Sequence, residues 1–199
     1  MNAFALRLSL AVSALIVGVL AFVTLSASDP SSADAHPLGN FTVNRYARLE
    51  LYSDAIRVRY VLDMAEIPAF QEIEKIDADG NGEPSALESE TYLADTLPRI
   101  LDNLSLSVAG EEMELSVLTQ EIAFPEGQAG LDTLRISLLL STAGGFAVET
   151  LSFADDNYSD RVGWKEIIVQ PATGVTLAES SVSTEDVSHE LTTYPGDLL

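Results

Sequence analysis

Two runs of alternating side chains in FTVNRYARLELYSDAIRVRYVLDM, residues 41–64, decide the fold. Apolar residues lie at alternate positions, which are the odd-numbered ones in the first run and the even-numbered ones in the second (one parity of each run). They are Val43, Ala47, Leu49 and Leu51 in the first run and Ile56, Val58, Tyr60, Leu62 and Met64 in the second. A period of two is typical of strands that bury one face. The polar pair Ser53-Asp54 between the runs predicts a hairpin turn.

After Met64 the apolar spacing changes to that of a helix. The apolar positions are Ile67, Phe70, Ile73 and Ile76 in the first segment and Leu87, Tyr92, Leu93, Leu97, Ile100 and Leu101 in the second. Spacings of three and four place such residues on one helical face. The sequence therefore predicts a helix-loop-helix insert at about 65–103, with Pro98 ending or kinking the second helix nearby.

From Leu104 to Val182 the sequence again predicts strands, as six short segments separated by turn residues. The last of these segments is VTLAESSV, residues 175–182, and the acidic stretch ADDNYSD, residues 154–160, is interpreted as a solvated loop between strands. Short strands at such spacing favour a β-sandwich over a parallel sheet. We therefore expect a mainly β domain over 36–199, a sandwich of immunoglobulin-like general shape with a helical insert.

The first 35 residues have the order of a secretory signal. Arg7 precedes an apolar run over 8–25, and a small, polar tail ends in the A-x-A pattern of residues 33–35. The run also approaches the length of about 18 residues at which a helix begins to span a bilayer. We expect a cleaved signal peptide over 1–35, with an N-terminal membrane anchor as the alternative. Either places the domain outside the cytoplasm.

The amino-acid composition limits the classes of partner that the protein can bind. The formal net charge is −21, from 31 acidic and 10 basic residues. Such a field repels nucleic acid and anionic membrane surfaces and favours divalent cations as counter-charges. The chain has no cysteine, so packing, together with any bound metal, must supply the stability that disulfides give many exported domains.

The loop DADGNGEPSALE, residues 77–88, has the ligand spacing of an EF-hand calcium loop. The predicted ligands are Asp77, Asp79, Asn81, the main-chain carbonyl of Glu83, Ser85 (directly or through water) and Glu88. Gly82 takes the sixth position, where the chain must bend sharply. The alternative is an acidic turn that binds no ion.

Two features indicate a solitary and weak calcium site. Pro84 lacks the amide with which paired EF-hands bond to a neighbouring loop, and the sequence has no second loop. We expect a dissociation constant near that of extracellular modules, about 10⁻⁴ to 10⁻³ M. The predicted role is structural, because a cation neutralises the clustered carboxylates and clamps the insert.

Cleavage after Ala35 would make His36 the first residue of the mature protein. Its α-amine and imidazole form a nitrogen pair suited to Ni²⁺, Co²⁺ or Cu²⁺. Pro37 denies this site a further backbone nitrogen ligand. The alternative is that His36 is a plain terminal residue and that His189, the other histidine, is a surface polar one.

The sequence does not favour an enzyme. Neither a G-x-S-x-G nucleophile elbow nor a glycine-rich phosphate loop occurs in it. Its many carboxylates follow from the acidic composition. We therefore predict no catalytic residues.

Four segments resemble the extracytoplasmic N-terminal region of nickel/cobalt transporters of the NicO type. They are HPLGNFTVNRYARLEL, VRYVLDMAEIPAFQEIEKIDADGNG, FADDNYSDRVGWKEIIV and TTYPGDLL, and the resemblance extends over nearly all of 36–199. The resemblance implies an accessory domain that precedes a membrane-embedded permease, as a partner in cis or in trans. The permease helices, with the residues that move metal, are absent from this chain, so no transport residue carries over.

Three functions follow as expectations. The first is an exported accessory domain of a nickel/cobalt transporter, periplasmic, on the cell surface or tethered to the membrane, with one structural calcium loop. The second is a free-standing secreted, calcium-stabilised β-sandwich that binds proteins or glycans. The third is a periplasmic transition-metal chaperone that uses His36.

Overall fold

The predicted hairpin is the centre of the fold. Strands β1 (Val43–Leu51) and β2 (Ala55–Met64) pair antiparallel, and the Tyr52 amide donates to the Ala55 carbonyl at 2.9 Å to close the turn. The predicted apolar parity is buried along both strands. The computed structural model describes residues 39–143 and 150–194, so the predicted signal peptide over 1–35 and His36 lie outside the described residues.

Two sheets make the described chain mainly β. The remaining strands are β3 (Leu104–Val108), β4 (Glu111–Glu112), β5 (Ser116–Ala123), β6 (Leu134–Ala143), β7 (Leu151–Asp155) and β8 (Lys165–Pro171). The larger sheet has the order β5-β6-β2-β1-β8 and the smaller one β4-β3-β7. The β1–β8 pair is parallel. The larger sheet is therefore mixed.

The last predicted strand, residues 175–182, does not form. The Ser180 hydroxyl donates to the Val182 carbonyl at 2.8 Å and accepts from the Val182 amide at 3.1 Å. A side chain that bonds to nearby backbone in this way competes with a strand ladder. The chain meets the sheet just beyond this segment, through one parallel bridge between Ser183 and Ile168.

The helical insert consists of α1 (Glu66–Ile76) and α2 (Ala86–Asp102), within the predicted range. Not every apolar residue of the two helical faces is buried, because Phe70 and Leu87 are 45% and 72% exposed. Helix α2 continues through the exposed Pro98 and ends four residues later at Asp102. No helix of the described residues is long and apolar enough to cross a bilayer.

One hydrophobic core unites both sheets and both helices. The larger sheet contributes Val58, Leu62 and Leu138, the smaller one Leu106, and the helices Ala69, Ile76, Leu93 and Ile100, among others. Each of these side chains is less than 5% exposed. The insert is therefore anchored through one face of each helix.

The stretch ADDNYSD, which the sequence predicts to be a solvated loop, is buried at Asp155. Asp155 ends β7 and is 2% exposed. It lies 3.6 Å from the Arg45 guanidinium and accepts from the Tyr60 hydroxyl at 3.3 Å. Arg45 also donates to the Asn157 carbonyl. Asp155 is buried because a buried cation balances its charge, a long-range pairing that local composition does not reveal.

Candidate metal centre

The acidic loop joins the two helices of the insert. Helix α1 ends at Ile76, and the Asp77 amide still donates to the Ile73 carbonyl at 2.9 Å. Ser85 is the N-cap of α2. Both helix ends are fixed by buried residues, Ile76 before the loop and Leu93 after it. The core thus holds the two ends of the loop in place.

Three of the predicted ligands converge. Asp77, Asp79 and Glu88 each offer a carboxylate oxygen, and these oxygens all lie within 4.8 Å of one another. Asp77 lies at the carboxyl end of α1, where the helix dipole disfavours negative charge. Three like charges this close repel one another, so the arrangement favours a cation at their centre. The triad can hold a metal ion by its geometry.

Backbone amides fold the first half of the loop around Asp77. Its carboxylate accepts from the Asn81 amide at 3.1 Å and from the Gly82 amide at 2.7 Å. The Asn81 amide also donates to Asp79, at 3.1 Å. Gly82 has a φ of +91°, a conformation that glycine adopts without strain. The predicted bend at the sixth position is confirmed.

Glu88 closes the loop from the first turn of α2. One carboxylate oxygen accepts from the Ala78 and Asp79 amides at 2.8 and 3.2 Å. The other accepts from the amide and hydroxyl of Ser85, at 2.8 and 2.7 Å. The bonds from Ser85, helped by those from Asp79 and Ala78, lower the pKa of Glu88 to about 2. Glu88 is therefore a carboxylate at any physiological pH.

Ser85 and Glu88 also form a capping box, which the sequence interpretation missed. The Ser85 hydroxyl accepts from the Glu88 amide at 3.3 Å while the Glu88 side chain accepts from the Ser85 amide. The signal was present as S-x-x-E before an apolar run. Ser85 thus contacts the triad through Glu88.

The other two predicted ligands have different surroundings. The Asn81 side-chain oxygen accepts from the Glu83 amide at 2.8 Å. Both residues are exposed. Neither side chain contacts the triad by a hydrogen bond, and the link from Asn81 runs through its backbone amide. His36, the candidate transition-metal ligand, lies outside the described residues, and His189 is exposed as predicted.

The helices also contact each other beside the loop. The Tyr92 hydroxyl donates to Glu72 at 2.9 Å, which joins α2 to α1. A cleft of about 510 Å³ between the helices is lined by Glu88 and by the exposed Leu87, among others. The loop and this hydrogen bond are therefore two polar links that set the spacing of the helices.

Comparison with known proteins adds no relative. No family model matches the sequence, no curated protein is similar to it, and no solved structure matches it. The resemblance to the NicO-type transporters therefore stays a prediction.

Proposed function

We propose that this protein is an exported accessory domain of a nickel/cobalt transporter, in which one calcium-binding loop clamps a helical insert onto a β-sandwich. The observation that carries the calcium proposal is the convergence of Asp77, Asp79 and Glu88 within 4.8 Å. The helices on both sides of the loop supply the context that an EF-hand-like motif requires. The core shared by the two sheets supports the sandwich.

Calcium suits this loop by number and kind of ligand. The ion takes six to eight oxygens, and the loop offers them from Asp77, Asp79, Asn81, the Glu83 carbonyl, Ser85 and both oxygens of Glu88. Magnesium demands a more rigid octahedron and keeps its waters. A set of three carboxylates with one amide side chain, one main-chain carbonyl and one hydroxyl therefore favours calcium.

The hydrogen bonds of the loop support a weak affinity. Both oxygens of Glu88 already accept hydrogen bonds from amides, and a bound ion competes with these donors. Asn81 likewise bonds to the Glu83 amide. The gain on binding is the difference between ion contacts and the bonds given up. We therefore keep the dissociation constant in the range of extracellular modules, about 10⁻⁴ to 10⁻³ M.

Bound calcium would hold the two helices of the insert together. The ion would join the carboxyl end of α1, through Asp77, to the first turn of α2, through Glu88. It would also remove the repulsion among three carboxylates. Both effects stabilise the folded insert and neither requires a change of its helices, so a structural role is favoured over a signalling switch.

Isothermal titration calorimetry of the protein purified from the exported fraction tests the site. We expect one calcium per chain in the wild type and loss of binding heat in Glu88→Gln, since glutamine keeps the cap but not the charge. Glu83→Gln is the matched control, because its predicted ligand is the main-chain carbonyl. No heat in the wild type, or equal heat in Glu88→Gln, rejects the site.

The association with a permease rests on the four sequence segments that resemble the NicO-type region. The coding sequence after Leu199 tests it. Several apolar spans there support a permease in cis, and their absence shifts the support to a partner in trans or to the free-standing secreted module. The chaperone alternative predicts that nickel binding falls in His36→Ala, measured by titration of the processed protein.

A further inference from the structure

The last described segment, residues 183–194, lies across the face of the larger sheet opposite the core and is here called the strap. Its Leu191 is 4% exposed and packs with Tyr46, Val61 and Ile168 in a second, small hydrophobic cluster. Trp164 and Tyr194 pack at the border of this cluster. One face of strands β1, β2 and β8 contributes to the main core. The strap buries residues on the opposite face of the same strands.

The strap also covers part of the free edge of the sheet. Among the described strands, β8 is the last in the order of the larger sheet and pairs only with β1. The Val169 amide donates to the Ser183 carbonyl at 3.0 Å, and Ser183 bridges Ile168. A strand edge left uncovered offers its amides and carbonyls to other extended chains. The strap therefore protects this edge at one point.

The middle of the strap has an unusual backbone. His189, Glu190 and Leu191 have φ values of +48°, +59° and +64°, three successive left-handed residues without a glycine. Each is in a conformation disfavoured for residues with a side chain. Such backbone persists only where surrounding contacts hold it.

Arginines supply those contacts. Arg48 donates to the Glu190 carboxylate at 2.5 Å, Arg59 donates to it at 3.1 Å, and Arg135 donates to the Glu190 carbonyl. Arg48 and Arg59 are cross-strand partners on β1 and β2. The chain has only 10 basic residues against 31 acidic ones. Three of the ten therefore converge on one residue of the strained turn.

We propose that the strap is a latch that opens as a unit, held shut by the arginines on Glu190. The left-handed turn favours opening, and the contacts of Glu190 oppose it. Opening uncovers the edge of β8 at Val169 and the apolar cluster around Tyr46. The latch is independent of the calcium loop.

Amide hydrogen exchange tests the latch at one site. The Val169 amide reports the strap directly, because its acceptor is the Ser183 carbonyl. We expect Glu190→Gln to speed exchange at Val169 on the order of tenfold or more, since hydrogen bonds to a charged carboxylate contribute more than neutral ones. Amides of the β1–β2 ladder should keep their wild-type rates. Glu185→Gln, an exposed change on the same strap with the same loss of charge, should match the wild type.

A second readout uses the single tryptophan. The Trp164 ring meets Tyr194 edge-on with centroids 6.4 Å apart, so opening should shift its emission to the red. Arg59→Gln removes one donor and should change both readouts in the same direction by less. Wild-type exchange at Val169 in Glu190→Gln overturns the proposal. So does equal acceleration in the β1–β2 ladder, since the strap then does not open separately. Should Glu190→Gln fail to fold, the same two criteria apply to Arg59→Gln.

Discussion

Calcium should raise the melting temperature of the wild type and leave that of Glu88→Gln unchanged. An ion that binds only the folded state stabilises it by RT ln(1 + [L]/Kd). With about 10 mM calcium and a Kd of about 10⁻⁴ to 10⁻³ M, this amounts to about 1.4 to 2.7 kcal/mol. A domain of this size gains about 2 to 4 °C per kcal/mol, so the expected shift is about 3 to 11 °C.

Differential scanning calorimetry with three variants separates the ion from the helix cap. Glu88→Gln keeps a side-chain acceptor for the Ser85 amide, so its melting temperature without calcium should stay near that of the wild type. Asp77→Asn keeps an acceptor for the Gly82 amide and should likewise lose only the calcium shift. Glu83→Gln should keep the full shift. Magnesium at equal ionic strength controls for screening.

Two outcomes would contradict calcium binding at the triad. A calcium shift of equal size in the wild type and in Glu88→Gln would mean that the ion acts on the general acidic surface. No shift in the wild type at this concentration would mean that the triad does not hold calcium in the folded state.

Three further predictions concern the rest of the molecule. Asp155→Asn should lower the free energy of unfolding by about 3 to 5 kcal/mol in urea titrations, since it leaves Arg45 buried without its counter-charge; a loss below 1 kcal/mol would contradict this. Gly163→Ala should cost at least about 1 to 3 kcal/mol in the same assay, because a β-carbon there overlaps the backbone of Val43. The control Gly174→Ala, with open space but a φ of +90°, should cost less. Because the pKa of Glu88 is lowered to about 2, its contribution to stability should be full above about pH 4.5 and fall away as the pH drops towards 2; a carboxyl titration by NMR with a midpoint near 4.5 would contradict this.

The hairpin and the insert could be predicted because each has a single period along the chain. Strands β1 and β2 alternate with a period of two, and the helices repeat at three to four. The exposure of Phe70 and Leu87 could not be predicted from spacing, since only the docked position of a helix decides which apolar side chains reach the core. A local sequence pattern thus identifies a helix or strand more reliably than it identifies the face that is buried.

Features that depend on contacts between residues far apart in the chain could not be predicted from the sequence. Tyr46 and Val61 lie on the polar parity of their strands, and both are buried because the strap covers that face. Asp155 is buried because Arg45 lies 110 residues earlier in the chain. Neither the contact with the strap nor the contact with Arg45 can be predicted from local composition. The convergence of Asp77, Asp79 and Glu88 was predictable because these three residues lie within one short segment.

A crystal structure of the protein grown in calcium tests the central proposal most directly. We expect one cation between α1 and α2, with oxygens of Asp77, Asp79 and Glu88 at about 2.3 to 2.6 Å from it. Anomalous scattering at a long wavelength would identify the ion as calcium. Water alone between these three carboxylates, at saturating calcium, would contradict calcium binding by this loop.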